Sequence, residues 1–69
     1  PDTYDGLTLR EAIRRLPEEQ RTVVIHRYYA GYTKEETAQS LELPRGTVST
    51  RQRRALRLLR LELGEEGTP

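Results

Sequence analysis

The fold of this chain is decided by residues 33–60, which read TKEETAQSLELPRGTVSTRQRRALRLLR. Thr33 and Glu36 form a capping box, in which a hydroxyl and a carboxylate satisfy two backbone donors at the start of a helix. Residues 42–44 (Glu-Leu-Pro) interrupt the helical pattern, because proline lacks a backbone donor and clashes with the preceding turn. From Arg45 a longer helical pattern follows. The stretch therefore predicts two helices separated by a tight break of three residues.

The second of these helices carries two chemically different faces when its residues are placed at about 3.6 per turn. The predicted inward face, with Leu56 at its margin, comprises Val48, Gln52, Ala55, Leu59 and Leu63. The predicted outward face comprises Ser49, Thr50, Arg53, Arg54, Arg57 and Arg60. Hydroxyls and guanidiniums donate hydrogen bonds to phosphate oxygens, and arginine pairs bidentately with guanine in the major groove. The pattern predicts a helix-turn-helix whose second helix binds DNA.

The distribution of charge supports this interpretation better than the net charge, which is only +1 over 69 residues. Between Pro44 and Leu61 the chain holds six arginines and no acidic residue, so the outward face of this helix has no acid to pair with its arginines. An arginine-rich face is often only a solvated surface, but such a surface normally mixes both signs. Gly46 and Thr47, near the helix start, let backbone N–H groups approach a phosphate closely.

Two further helices are predicted upstream. A capping box at Thr8 and Glu11 opens the first, whose inward positions are Leu9, Ala12, Ile13 and Leu16. Pro17 ends that helix and suits the first turn of the next. The second helix runs to Ala30 with Gly31 as its C-cap, and its wide apolar stripe comprises Val23, Val24, Ile25, Tyr28 and Tyr29. Tyr28, Tyr29 and Tyr32 are expected to pack in the core, and His26 to be a packed core or boundary residue.

The predicted architecture is a single all-α domain of four helices over residues 7–63. The third helix ends near Leu41, with Thr37, Ala38 and Leu41 facing inward, and the fourth ends near Leu63, before Gly64. Residues 1–6 and 64–69 are expected to be a disordered linker and tail. Because the chain opens at Pro1 without an initiator methionine, it is expected to be a fragment of a larger protein.

Composition argues against several other classes of protein. The chain has no cysteine and one histidine, which argues against disulfides, thiolate metal sites and a thiol nucleophile. The acidic pairs Glu18/Glu19 and Glu35/Glu36 stand at helix starts, where capping and dipole effects account for them. No nucleophile–base set, glycine-rich phosphate loop, signal peptide or apolar run of about 20 residues is present. Neither an enzyme nor a cofactor- or metal-binding protein is expected.

Five stretches of the sequence also resemble region 4 of the bacterial sigma factors, especially the extracytoplasmic-function (ECF) class. They are Leu-Pro-Glu-Glu-Gln-Arg at 16–21, Tyr-Tyr-Ala-Gly-Tyr-Thr at 28–33, Glu-Glu-Thr-Ala at 35–38, Leu-Pro-Arg-Gly-Thr-Val-Ser-Thr-Arg at 43–51 and Arg-Ala at 54–55. The resemblance covers about residues 7–63. It implies a winged-helix-like domain that recognises the −35 promoter element as part of the RNA polymerase holoenzyme. The implied partners are the polymerase β flap and an anti-sigma factor, and the implied location is the cytoplasm.

The resemblance also implies which residues meet DNA. The base and phosphate contacts fall on Ser49, Thr50, Arg53 and Arg54, and Arg57 follows them on the same face. Backbone support falls on Arg21, Lys34, Arg45, Thr47 and Arg51. The chain departs from the family pattern at Thr37 and His26, where aliphatic residues are usual, at Glu42, which replaces a turn glycine, and at Arg53, where an aromatic residue or histidine is frequent.

Two alternatives remain open at this point. One is the helix-turn-helix effector domain of a response regulator or quorum-sensing activator, which binds DNA with a similar motif. The other is a module whose main partner is a protein, an anti-sigma factor or the polymerase flap. Leu58 and Leu61 favour the second alternative, because both are predicted to point away from the inward face of the last helix and to contact a partner.

Overall fold

Four helices make up most of residues 8–64, the part of the chain that the computed structural model describes. Helix α1 spans Leu9–Arg14, α2 spans Glu18–Val24, α3 spans Lys34–Leu41 and α4 spans Arg45–Glu62. No β-strand occurs within the described range, and the predicted all-α class is confirmed. The predicted linker at 1–6 and the predicted tail beyond Gly64 lie outside the described residues.

Both predicted capping boxes are present and define the starts of two helices. At α1, the Thr8 hydroxyl accepts from the Glu11 N–H at 3.2 Å, and the Glu11 carboxylate accepts from the Thr8 N–H at 3.1 Å. At α3, the equivalent bonds between Thr33 and Glu36 are 3.0 and 2.8 Å. Reciprocal bonds of this kind satisfy donors that a helix start otherwise leaves unpaired.

The prediction of one continuous α-helix up to Ala30 is wrong. After Val24 the helix widens into a π-turn at Ile25–Tyr29, where the Ala30 N–H donates to the Ile25 carbonyl, five residues back, at 2.9 Å. Gly31 then adopts a positive φ of 77°, as its predicted C-cap role requires, and the chain turns toward α3.

The π-turn also explains why the tyrosines are misplaced by the sequence pattern. A π-turn holds more residues than an α-turn, so side chains beyond Ile25 advance less around the axis at each step. Tyr28, Tyr29 and Tyr32 are 50%, 61% and 38% exposed, so the prediction that they pack in the core is wrong.

The core consists of two small clusters that share α2 and α4. Val24 of α2 belongs to the first cluster, and its neighbour Val23 belongs to the second. The first cluster joins α1 to the second half of α4 through Ala12, Ile13, Leu16, Val24, Ala55 and Leu59. The second joins α3 to the first half of α4 through Val23, Ala38 and Val48. Helix α4 therefore runs the length of the domain, with one end held by each cluster.

Candidate nucleic-acid interface

The break between α3 and α4 is a short, tightly bonded turn. Glu42 adopts the left-handed conformation, with φ 57° and ψ 48°. The Glu42 N–H donates to the Gln39 carbonyl at 3.2 Å, and the Leu43 N–H donates to the Ala38 carbonyl at 2.9 Å. Pro44 then precedes the first turn of α4. The predicted break at residues 42–44 is confirmed, and the two helices have the arrangement of a helix-turn-helix.

Two open hollows lie beside α4, one next to α2 and one next to α3. We call the part of α4 that lines each hollow a wall of α4. The α2-side hollow has a volume of about 580 Å³. Its lining residues are Glu19, Gln20, Pro44, Gly46, Thr47, Thr50, Arg51 and Arg54. The α3-side hollow has a volume of about 290 Å³. Its lining residues are Lys34, Ser49, Gln52, Arg53, Leu56 and Arg60.

Most of the residues predicted to bind DNA come together around these hollows. Those in the α2-side hollow are Thr47, Thr50, Arg51 and Arg54. Those in the α3-side hollow are Lys34, Ser49 and Arg53. Arg45 and Arg57 are exposed on α4 outside both linings. Hydroxyl and cationic donors on both walls are the chemistry that phosphate oxygens and base edges accept.

Arg21, like Arg45 and Arg57, lines neither of these two hollows, and it is the only one of the three that does not belong to α4. Its Nη1 donates to the carbonyls of Arg14 and Leu16 at 3.1 and 3.3 Å, and so holds the joint between α1 and α2. Its side chain also lines a separate hollow with Ile25 and Tyr29.

The first turn of α4 is sterically open. A side chain added at Gly46 would meet no heavy atom of the described residues within 4 Å. Within the described part of the domain, space therefore does not require glycine at this position. Its lack of a side chain instead leaves the backbone donors of the helix start accessible, where the helix dipole favours an anion.

The prediction that these arginines lack acidic partners holds for the outward face of α4 but is wrong for the folded domain. The Glu35 carboxylate, from α3, lies 3.3 Å from Nε of Arg45. The Glu19 carboxylate, from α2, lies 4.0 Å from Nε of Arg51. Glu35 and Glu19 therefore do more than favour a helix start, because each places a negative charge beside a cation of the interface.

Sequence reasoning missed the role of Gln52, which it placed on the inward face. Gln52 is half-buried, and its Oε1 accepts a hydrogen bond from Nε of Arg27 at 2.9 Å. Two signals pointed to this contact: a glutamine among apolar inward residues, and an arginine interrupting the apolar stripe of α2. Gln20 was also missed, and its buried Oε1 has no hydrogen-bond partner among the described residues.

His26 is a half-buried boundary residue that links α2 to α3. Its Nδ1 lies 2.8 Å from the Thr22 carbonyl, which can only accept, so Nδ1 carries the proton of this bond. Its Nε2 lies 3.2 Å from the Ser40 hydroxyl, and its ring meets the Tyr32 ring edge-on with centroids 5.3 Å apart. A polar residue is tolerated at this position, where the sequence resemblance predicts an aliphatic one, because both ring nitrogens of His26 have a partner.

The predicted partner leucines separate in the structure. Leu58 is half-buried and packs against the first core cluster, so its prediction as a solvent-facing residue is wrong. Leu61 is 55% exposed, as predicted. Leu9, predicted to face inward, is exposed. It borders a hollow of about 280 Å³ that we call the apolar hollow. The residues that line this hollow are Leu9, Ile13, Val24, Tyr28, Tyr29, Leu56 and Leu59.

Other kinds of site find no support in the described part of the chain. Residues 8–64 contain no cluster of three or more histidine, aspartate or glutamate side chains that could hold a metal ion. None of the helices in the same range is long and apolar enough to cross a membrane.

Residues 12–61 match the family described as Sigma-70, region 4. The chain belongs to the sigma-70 region 4 family. It is similar to the ECF RNA polymerase sigma factor SigL of Mycobacterium tuberculosis (strain H37Rv), with 38% identity over 63 residues, 91% of this chain and 36% of the relative. It is also similar to the RNA polymerase sigma factor SigV of Bacillus subtilis (strain 168), with 37% identity over 65 residues, 94% of this chain and 39% of the relative.

This sigma region 4 domain spans a little over one third of the length of these relatives. The matched range contains the whole helix-turn-helix and both hollows beside α4. The family assignment favours a sigma factor over the response-regulator alternative, because it rests on the same residues that form the interface.

Proposed function

We propose that this domain recognises the −35 element of a promoter and thereby serves transcription initiation as region 4 of an ECF-class sigma factor. The observation that carries the proposal is the pair of donor-lined hollows on either side of α4, the second helix of a helix-turn-helix. Membership of the sigma-70 region 4 family supports it. The role is one of binding and positioning, without catalysis.

In the proposed complex, α4 enters the major groove with its first half. The side chains that reach base edges are Ser49, Thr50, Arg53 and Arg54, because the N-terminal part of a recognition helix usually makes these contacts. Arg45, Thr47 and Arg51, together with Lys34 of α3, meet phosphates on the two sides of the groove. Phosphate contacts set the register of the helix, and base contacts select the sequence.

A protein partner is proposed for the apolar hollow. The apolar hollow has almost no polar lining, and Tyr28 and Tyr29 stand exposed at its rim. An exposed apolar hollow bordered by tyrosines is a typical place for a protein contact. We propose that it receives the β flap of RNA polymerase, with an anti-sigma factor as a competing partner. The domain would then act in the cytoplasm, where the polymerase and the chromosome meet.

The first experiment tests DNA recognition. Binding-site selection from random duplexes with the 69-residue chain is expected to recover a preferred motif. Fluorescence anisotropy is then expected to show tighter binding to that motif than to a scrambled duplex of equal length. If no motif is enriched and all duplexes bind alike, sequence recognition by this domain is refuted.

The second experiment tests the protein contact. Tyr29→Ser removes apolar surface from the hollow and leaves both walls of α4, and the contact of Tyr28 with Arg27, intact. It is expected to weaken binding to an isolated β-flap fragment by roughly tenfold or more, since exposed aromatic anchors often carry a large share of interface energy. Its affinity for the selected duplex is expected to remain within about twofold of the wild type. Equal flap binding by both proteins would exclude this hollow as the contact.

A further inference from the structure

Arg27 connects the π-turn to α4 and to the chain segment just before α3. Its Nε donates to Oε1 of Gln52 in α4 at 2.9 Å, and its Nη1 donates to the Tyr32 carbonyl, just before α3, at 2.6 Å. Its guanidinium carbon lies 5.7 Å from the centroid of the Tyr28 ring. Arg27 belongs to the π-turn, so all three contacts originate where α2 widens.

The bond from Arg27 determines which way the Gln52 amide faces. A guanidinium can only donate hydrogen bonds, so the oxygen of Gln52 must face it. The Nε2 group of Gln52 is then free to donate to another acceptor. Gln52 lines the α3-side hollow with Lys34, Ser49 and Arg53. These four side chains present hydrogen-bond donors to that hollow. The hollow therefore suits the acceptor atoms of DNA.

Resting on the proposed function, we infer that Arg27 is a positioning residue for sequence recognition and that it acts through Gln52. By tying the middle of α4 to the chain segment before α3, it sets the height and rotation of Ser49 and Arg53 in the major groove. Arg27 itself makes no contact with DNA in this arrangement.

The inference predicts a loss of selectivity more than a loss of affinity. Phosphate contacts tolerate small shifts of a helix, because flexible arginine and lysine side chains can follow a phosphate. Contacts to base edges depend on direction and carry the sequence information. If α4 can shift relative to the rest of the domain, the domain should keep most of its general affinity for DNA but lose its preference for one motif.

The test compares two substitutions at Gln52 with one at Arg27 and with a control at Arg10. Gln52→Met keeps the length of the side chain but removes the acceptor for Arg27. Gln52→Glu keeps an acceptor and strengthens the bond to Arg27, because the bond becomes charge-assisted. Arg27→Lys keeps the positive charge but replaces the two-armed guanidinium with a single ammonium group. Arg10→Ala, which removes one exposed charge from α1, serves as the control.

The measured quantity is the ratio of affinities for the selected motif and for a scrambled duplex, at one salt concentration. A variant that is only less stable lowers both affinities by the same folded fraction, so the ratio reports positioning and not folding. Gln52→Met and Arg27→Lys are expected to lower the ratio by about tenfold, which lies within the range for a coupled pair. The double variant should lose no more than the larger single loss. Gln52→Glu should bind all DNA more weakly, because its charge lies beside Arg53, yet keep the wild-type ratio.

Three results would overturn the inference. If Gln52→Met and Arg27→Lys keep the wild-type ratio, Arg27 is only a structural residue, while the selected motif still supports the proposed function. If Gln52→Glu loses the ratio as fully as Gln52→Met, the amide nitrogen and not the tie to Arg27 carries the effect. If the wild-type chain itself has no preferred motif, the proposed function and this inference fail together, and the Arg10→Ala control shows the same absence.

Discussion

The hydroxyl of Thr37 lies where no described residue forms a hydrogen bond with it. The residue is fully buried in α3. Such a group loses its bonds to water on folding and gains none in return. The resemblance to sigma factors predicts an aliphatic residue at this position, and the packing of α3 supplies the physical reason.

Thr37→Val is therefore expected to stabilise the domain. Valine has nearly the same shape without the unpaired hydroxyl, so the free energy of unfolding should rise by about 1 kcal/mol. For a domain of this size the melting temperature should rise by about 4–8 °C, measured by circular dichroism. Thr33→Val makes the same chemical change at a capping position and should lower the free energy of unfolding by about 1 kcal/mol. Equal losses in both variants would contradict this account.

Glu35 illustrates a charge whose effect falls on binding and not on stability. The Glu35–Arg45 pair is 3.3 Å apart, with both side chains more than half exposed. Exposed pairs contribute at most about 1 kcal/mol to stability, because water screens them and their side chains lose freedom. In the proposed complex, where Arg45 meets a phosphate, the carboxylate would compete with that phosphate for Arg45.

Glu35→Gln is expected to raise affinity for duplex DNA by a few-fold while leaving the melting temperature almost unchanged. Freeing Arg45 should also make log K fall more steeply with log salt, since one more cation can displace counterions. Glu18→Gln is the matched control, because its carboxylate contacts no cation among the described residues. Lower affinity in Glu35→Gln would show instead that Glu35 holds Arg45 in its DNA-contacting position.

At the scale of elements, the π-turn determines which side chains of α2 face which neighbours. An uninterrupted α-helix would have continued the apolar stripe from Val24 toward Tyr28. The wider turn instead leaves Tyr28 exposed and directs His26 and Arg27 to contacts in α3 and α4. π-turns within α-helices often occur at functional sites, and here the turn serves both the apolar hollow and the support of α4.

Helix α4 is long enough for its two halves to have different roles. Arg54 lies at the middle of α4 and lines the α2-side hollow, whereas Arg60 lies close to the C-terminal end, which the first core cluster holds against α1. A straight helix that enters the major groove with its first half must leave it with its second. Reading of bases is therefore expected from Arg54 and at most phosphate contact from Arg60.

Arg54→Ala should cost roughly 1–3 kcal/mol of binding free energy and relax selection at particular base positions. Arg60→Ala should weaken binding to all sequences alike, or leave it unchanged. Binding-site selection with each variant, at the salt concentration used for the wild type, separates the two roles. A motif reshaped by Arg60→Ala and untouched by Arg54→Ala would mean that α4 docks in the opposite direction.

At the scale of the whole molecule, positive charge is concentrated on α4. The net charge of +1 hides this concentration, because six of the eleven arginines lie on α4, whose only acidic residue is Glu62 at its end. Such a distribution should give DNA binding dominated by counterion release.

The affinity for duplex DNA should therefore depend strongly on salt. Log K is expected to fall linearly with log salt, with a slope of about −0.9 for each phosphate neutralised. Removing one phosphate contact, as in Arg51→Ala, should reduce the slope by about one. Arg10→Ala, which removes an exposed charge of α1 outside both hollows beside α4, should leave the slope unchanged. An affinity that stays flat between low and physiological salt would refute this electrostatic account.

The sequence by itself determined the local structure and the class of the domain. Both capping boxes, the break at residues 42–44 and the division of α4 into two faces depend on residues a few positions apart, so they are visible without coordinates. The sigma region 4 assignment follows from the same short motifs. Most of the proposed DNA contacts could be named from the sequence for this reason, since they lie on one helix and at the start of its neighbour.

Only the tertiary structure decided which residues from different helices meet. The pairing of Glu35 with Arg45, the tie from Arg27 to Gln52 and the use of Arg21 at the α1–α2 joint each join residues on separate elements or across a turn. The exposure of the tyrosines depended on a π-turn, which shifts side chains without a clear local signal. Helical periodicity gives the direction of a side chain about its own axis, but contacts between helices depend on how the axes cross and on which apolar groups fill the space between them.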